Sequence, residues 1–410
     1  MRRTIVLLAT MTLTLLVASG VALVAGIGSA GAQSSVVGPG ESIQKAIDAA
    51  HPGETIIVRG VHREDVIIRK DGIKLLGDDA VIEAPDRADS KCSRVIGPEA
   101  ICVLGDFDWN TGKVNRHVSD VSVSGFTIRG FKRKANEGFE VGMIEVMGAR
   151  NATVVGNDIV GNAGVGIDAF GSINATIGRN NITGSKGGGI LVNNTRNFNI
   201  VNNVVRNNGA GVLNLDSPGT TIISNDISRS GIVGTYLAGQ KSENAKVVGN
   251  RISGGPWGIF VEGAHGGSFT GNTIHDNCAG MFFDAFESEP VGDFEVKGNT
   301  VENNTRSCRA GAQLDSNFSG VGIALIGASG MELTLNHLSG NVPSGPTRIS
   351  GGVVVSTDPF FGGTTKPTNN SVTGNHFGRN KPDIFWDESG SGNSFVGNLC
   401  NSSVPSRLCN

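Results

Sequence analysis

The sequence predicts an all-β chain wound as a single-stranded, right-handed parallel β-helix, a solenoid with a short capping helix at its N-terminal end. Three observations carry this expectation. The pattern Asn-x-(Ile/Val/Leu/Phe) recurs at Asn157, Asn180, Asn202, Asn225, Asn250, Asn272, Asn299, Asn336 and Asn375, and Asn398 continues it with Cys400 in the apolar place. Most steps are 22–25 residues, one turn of a solenoid whose units cannot bury their apolar face alone. Short β-branched runs alternate with Gly and Asn clusters, with 61 Gly among 410 residues, the signature of strands and turns. Parallel crossovers are overwhelmingly right-handed, which sets the hand.

Taken in order, residues 1–32 have the form of an export signal. Arg2 and Arg3 precede a weakly polar to apolar run from Ile5 to about Gly26, and Ala30-Gly31-Ala32 offers a cleavage site. An uncleaved anchor is the competing reading, since the run is long enough to span a bilayer. Residues 33–410 then form the solenoid, outside the cytoplasm: secreted, extracellular or in the cell envelope. Setting aside Arg2 and Arg3 from the 34 basic residues leaves 32 against 37 acidic ones, a net charge of −5. That balance argues against nucleic acid as a partner. A monomer is expected.

The solenoid opens with Ser42–Ala50, where Ile43, Ala46, Ile47 and Ala50 make a helical stripe between Pro39-Gly40 and Pro52-Gly53. Strand-like runs follow at Thr55–Val58, Val66–Ile68 and Ile73–Leu76. A helix at this end would serve as a lid over an exposed edge. Each later coil reads as three strands. In the first, Asn151–Val155, Asp158–Val160 and Gly166–Phe170 are separated by turns, giving about ten to twelve coils in all. The steps after Asn272, Asn299 and Asn336 are longer and read as coils carrying insertions. These fall at about Thr305–Ser319, Val342–Ile349 and Thr357–Thr368, with earlier irregular stretches at Ala84–His117 and Arg133–Phe139. Long loops on a rigid scaffold are where function concentrates. The ladder Asn itself is expected to be scaffold, tolerating left-handed geometry at the turn and bonding its equivalents above and below.

The six cysteines fall into neighbouring pairs, Cys92/Cys102, Cys278/Cys308 and Cys400/Cys409. An even count in an exported chain favours disulfides, and none of the spacings is a zinc signature.

Gly38-Pro39-Gly40, Ser42-Ile43-Gln44-Lys45-Ala46-Ile47, Pro52-Gly53-Glu54-Thr55-Ile56 and Gly72-Ile73-Lys74-Leu75-Leu76-Gly77, followed by the Asn ladder, resemble exported right-handed parallel β-helix proteins of the pectate-lyase-like group. The NosD-type accessory proteins share that architecture. The resemblance spans nearly all of residues 37–400 and implies the fold; one fold hosts many functions.

The third strand supplies the site signal. Side-chain parity places Ile144, Ile167, Ile190, Val212, Thr235 and Ile259 inward, and the residue after each outward. The outward column runs Glu145, Asp168, Leu191, Leu213, Tyr236, Phe260, Phe282; a second, two residues on, contains Ala238, Glu262 and Asp284. Leu191 through Phe282 would form an apolar stripe about 20–25 Å long at about 4.8 Å per coil, either a binding surface or one covered by a loop. Aromatic faces suit sugar rings, so Tyr236, Phe260 and Phe282, with His265 nearby, are the expected substrate contacts. Glu262 and Asp284 are the expected catalytic pair, about 5 Å apart as in a retaining glycosidase. Glu145 and Asp168 stack in the same way and are the expected metal ligands, with Ca²⁺ as the cation. A pectate-lyase-like activity would add a basic residue near such a cation, and Lys241, Arg150 and Arg309 lie at turns or in an insertion. The sequence therefore leaves catalysis open: a polysaccharide lyase or glycoside hydrolase if an enzyme. The rivals are a non-catalytic envelope or adhesive spacer, and more weakly a NosD-like metal-delivery accessory, which the four Met beyond the export segment and the lack of a His/Met/Cys cluster do not favour.

Overall fold

The computed structural model describes residues 34–85, 99–108, 110–131, 142–285, 290–309, 317–358 and 363–409. Residues 1–32, where an export signal is expected, Cys92 and the Arg133–Phe139 stretch lie outside the described residues. One coil shows why the chain winds. Thr153–Val155, Asp158–Val160 and Val165–Phe170 are strands, and in each the β-branched or aliphatic residues Val154, Ile159 and Ile167 turn inward and are buried. The next coil repeats them in parallel register, Val154 on Ile177, Ile159 on Ile182 and Ile167 on Ile190. Stacked aliphatic columns thus fill a core that no single coil could close.

The third strands form one 13-stranded sheet, from Val66–Ile68 to Ser403–Val404. The first two strands of every coil merge into a 23-stranded sheet. They merge because Thr55–His62, Lys74–Glu83 and Ser122–Arg129 run unbroken around the corner through irregular registers. From Asn157 onward the corner is a turn. Among the described residues, no helix is long and apolar enough to cross a membrane.

That turn is held by the amide ladder. Asn180 Oδ1 accepts from the backbone N–H of Asn157 and from its Nδ2, both at 3.0 Å, while Asn180 Nδ2 donates to the Val154 carbonyl at 2.9 Å. The unit repeats at 2.7–3.1 Å through Asn250, Asn272 and Asn299 to Asn375 and Asn398. Two details differ from the sequence expectation. The rung in the third coil is Asn203, whose Oδ1 accepts from Asn180; Asn202 is its neighbour. The left-handed residue is also this preceding one, as at Arg179 (φ 53°), Asn202 (φ 55°) and Leu335 (φ 55°). The ladder Asn keeps ordinary backbone geometry and is selected for its amide, which offers an acceptor and two donors to a buried corner.

A second ladder escaped the sequence pattern. At the corner before the third strand, Asn277, Asn304, Asn341 and Asn380 bond successively at 2.8–3.0 Å, ending on Asp383. Its earlier rungs include Ser185 and Asn208, so the residue type is not constant enough to read as a repeat.

The expected lid is a helix over Ile43–Ala49, with Ser42 as N-cap accepting from the Lys45 N–H. Ile43 and Ile47 are buried. Charged side chains occupy both ends of this helix of about two turns: Glu64 accepts from the Ile43 N–H and the Ser42 hydroxyl, and Lys70 donates to the carbonyls of Ile47, Asp48 and Ala50, as the exposed donors and acceptors of helix termini require. Gln44 reaches across to the edge strand, its Nε2 donating to the Ile67 carbonyl and its Oε1 accepting from the Ile67 N–H. The lid thereby pairs an edge that would otherwise be open. A further strand, Ser34–Val37, adds beside Thr55–Val58. At the other end Cys400 and Cys409 are disulfide-bonded, with Cα atoms 5.4 Å apart.

Two substitutions separate used from wasted amides. Asn272→Ala should cost about 2–4 kcal/mol in chemical denaturation, because it orphans the Asn250 N–H and takes one of the two acceptors of the Asn250 amide, as well as losing its own bonds. Asn214 is fully buried between Val192 and Leu237 with neither amide atom hydrogen-bonded. Asn214→Leu keeps the shape and should stabilise by about 1–3 kcal/mol.

Candidate functional site

Side-chain parity holds along the third-strand sheet. Glu145 pairs with Asp168, Asp168 with Leu191, Leu191 with Leu213, and Tyr236, Phe260 and Phe282 continue the column. Glu262 pairs with Ala238 below and Asp284 above. The expected columns are therefore real, but only their middle is open.

At the N-terminal side of the face, part of the Ala84–His117 stretch is an antiparallel hairpin, Asp106–Asp108 with Lys113–Arg116. It sets Phe107 edge-on against Phe170, ring centroids 5.6 Å apart, over the buried Leu104 and Met147. On the far side, Phe318 from the Thr305–Ser319 insertion packs edge-on against Phe282 at 5.7 Å and Trp257 at 5.6 Å. Cys308 pairs with Phe318 across a short antiparallel bridge and is disulfide-bonded to Cys278 of the preceding coil, Cα atoms 5.9 Å apart. The disulfide pins the insertion onto the face. Cys102 is disulfide-bonded as well.

Phe282 is thus 1% exposed and cannot meet a ligand, contrary to its expected role: the loop that the longer coil extrudes folds back on it. Between the two covers, Leu213, Leu215, Tyr236, Phe260 and Glu262 remain half-buried. The Tyr236 and Phe260 rings stack with centroids 5.5 Å apart and planes 10° apart, and Trp257 lies beside Phe260 at 5.1 Å and 14°. Trp257 was missed because parity counted back from Ile259 turns it inward. Gly258 breaks that count. A Cβ there would stand 2.5 Å from the Gly280 carbonyl oxygen and 2.7 Å from an Ile274 methyl, so the backbone kinks inward and throws Trp257 out. The signal was visible as a Gly one residue before each inward position, at Gly166, Gly189, Gly211, Gly234, Gly258 and Gly280.

The carboxyls fare differently from one another. Glu262 accepts a hydrogen bond from the Tyr236 hydroxyl and stays half-buried. Asp284 is 0% exposed, and among the described residues neither of its oxygens has a hydrogen-bond donor. Nearby, Thr365 lies over Gly327 beside Ala285, and Asp358 sits close enough to repel it. Burial first, then the Asp358 and Glu262 carboxyls, pushes Asp284 up to about 8. Asp284 is therefore protonated at neutral pH.

Glu145 and Asp168 come together as expected but lie buried, at 3% and 7% exposure. Burial, then Asp168 and Glu99, raises Glu145 well above the usual carboxylate range, and Glu145 accepts from the Gly142 N–H. Among the described residues, no group of three or more His, Cys, Asp or Glu side chains is placed to hold a metal ion. His265 begins the next strand beyond the turn at Gly263 (φ 62°), with no side-chain hydrogen bond to Glu262 or Tyr236 among the described residues. His275 lies in the second strand of its coil, bonded to Asp276 at 2.7 Å, away from this face.

The comparisons agree with this architecture. The model for the right-handed β-helix region matches residues 108–252 and 142–288, and that for the periplasmic copper-binding protein NosD matches 227–407. The chain is a right-handed parallel β-helix repeat protein. No curated protein sequence matches it. Among solved structures, this β-helix is similar to the Family 28 exopolygalacturonase of Yersinia enterocolitica at 12% identity, covering 88% of this chain and 78% of that one, TM-score 0.63. It is also similar to the A-module of a mannuronan C-5 epimerase of Azotobacter vinelandii at 18% identity, covering 87% and 93%, TM-score 0.51. The Dettilon tailspike protein matches at 14% identity, covering 90% and 68%, TM-score 0.55. At these identities the likeness is one of fold.

The raised Asp284 carries a sign that can be tested. Between about pH 4 and 8 the unfolded chain has lost this proton and the native chain keeps it, so stability falls with rising pH, by at most about 1.4 kcal/mol per unit, and levels off above 8. Asp284→Asn should remove that part of the decline, and the difference between the two proteins' unfolding midpoints should widen from pH 4 to 8.

Proposed function

We propose that this is an exported polysaccharide-binding β-helix whose contact surface is the open middle of the third-strand face. Tyr236 and Phe260 act as the platform for sugar rings, Leu213 extends it, and Glu262 accepts hydroxyl hydrogen bonds. The observation that carries this reading is the parallel, half-buried Tyr236–Phe260 stack beside a carboxylate, left uncovered between two loops that close the rest of the face. Aromatic bodies with a few fixed polar groups are what a shaped recognition site requires. Two similar folds bear names that refer to uronate polymers, an exopolygalacturonase and a mannuronan epimerase, which makes such polymers the first ligands to try. Two disulfides fit an oxidising compartment.

A second reading, cleavage, is favoured by one feature: a protonated Asp284 in register with Glu262 on the adjacent strand, an acid beside a base or nucleophile at about the spacing of a retaining glycosidase. Because Asp284 is fully buried, that chemistry requires the chain packed around it to move. Binding without cleavage requires no movement, and is the reading preferred here. His265 is left outside the contact surface.

Tyr236→Ala and Phe260→Ala should each weaken binding of polygalacturonate or alginate by about tenfold or more in calorimetry, with the fold intact. Phe282→Ala should instead destabilise by about 3–5 kcal/mol, as a buried ring does. Unchanged binding in both Tyr236 and Phe260 variants would leave the spacer or adhesive reading. Release of reducing ends that Glu262→Gln abolishes would establish cleavage.

A further inference from the structure

We propose that His337 and His376 form a two-nitrogen binding site for a divalent transition-metal ion on the outer face of the second-strand sheet. The site lies away from the aromatic face and does not depend on the polysaccharide reading.

The two residues are 39 apart in sequence, one coil step of the same length as that from Asn336 to Asn375. Each directly follows a ladder Asn, so the amide ladder that fixes the coil register also fixes the imidazoles. They are register partners in the parallel pair His337–Ser339 with His376–Gly378. Leu338 and Phe377 point into the core, and the histidines therefore point out. The column below continues as Thr300 and Thr273, both short side chains.

Their Nδ1 atoms are 3.1 Å apart, with ring centroids 5.0 Å apart and planes tilted by 54°. That separation is the bite of a single metal ion. Two imidazole nitrogens bound at about 2.0–2.1 Å stand about 2.9 Å apart in a cis square arrangement and about 3.4 Å apart in a tetrahedral one. The observed distance falls between the two. His376 is exposed and His337 half-exposed, so water can complete the coordination. The imidazole donor set selects Cu²⁺, Ni²⁺ and Zn²⁺ over Ca²⁺ or Mg²⁺, with Cu²⁺ bound most tightly.

Other histidines are engaged differently. Both ring nitrogens of His62 lie at hydrogen-bond distance from backbone carbonyls, while His51 and His275 each face a carboxylate next to them in sequence. Without a metal, one Nδ1–H of the pair would donate to the other Nδ1, which is the competing account of the same distance.

Untagged protein titrated with Cu²⁺ and followed by electron paramagnetic resonance separates the two. One tightly bound equivalent with superhyperfine coupling from two imidazole nitrogens is expected, displaced by excess Zn²⁺. His337→Thr and His376→Thr extend the threonine column and leave the core untouched, so the circular dichroism spectrum should not change. Each should weaken Cu²⁺ binding by about tenfold or more and remove the two-nitrogen pattern. If binding and coupling persist in both variants, the copper sits elsewhere and the proposal fails. If the unaltered protein binds no stoichiometric Cu²⁺, the pair is only a hydrogen bond and the proposal fails equally.

Discussion

The buried amide at the first corner is the contact on which the solenoid depends. A turn between two short parallel strands strands its backbone N–H groups inside the fold, away from water. An asparagine side chain supplies the missing acceptor, and its own N–H₂ finds the rung above and a carbonyl below. Because the amide of one coil satisfies the next, an isolated coil would leave its corner unpaired. The 37- and 39-residue steps return to the same 2.9 Å bonds at Asn336 and Asn375. Extra chain must therefore leave and re-enter at other corners, and the ladder separates what the scaffold needs from what the loops may vary.

Those loops decide what the third-strand face can do. The hairpin carrying Phe107 and the disulfide-pinned loop carrying Phe318 hide apolar columns that would otherwise be one long exposed stripe. What remains is short, stacked and flanked by a carboxylate. The same covering turns Asp284 from a solvated acid into a neutral one, so a change in loop packing would reach the site as a change in protonation as well as in access.

Much of the fold was legible because periodicity survives substitution. Register, the lid helix, two of the cysteine pairings and the outward columns could all be counted from Asn157 and its successors. The one-residue slip at Asn202/Asn203 arose where two asparagines adjoin and only the hydrogen bond distinguishes them. The second ladder was hidden because Ser185 and Asn208 can serve equally as rungs. The site was less legible. Parity gives the side of a strand but not what lies over it, so Phe282 looked like Phe260. Gly258 reverses parity through a close backbone approach, and counting alternation alone, without the Gly that precedes each inward position, concealed Trp257. The histidine pair is legible only after the coil lengths are known, since neither residue has a partner nearby in sequence.

The pairing of Gln44 with both polar groups of Ile67 has a consequence for size. It occupies hydrogen-bonding sites through which another third strand could add at that end, and the Cys400–Cys409 loop lies at the opposite end. Between these stops each coil touches only its neighbours. A whole coil of 22 or 23 residues could be duplicated or removed without disturbing either terminus. The molecule is in that sense a ruler whose length evolution can reset in units of about 4.8 Å.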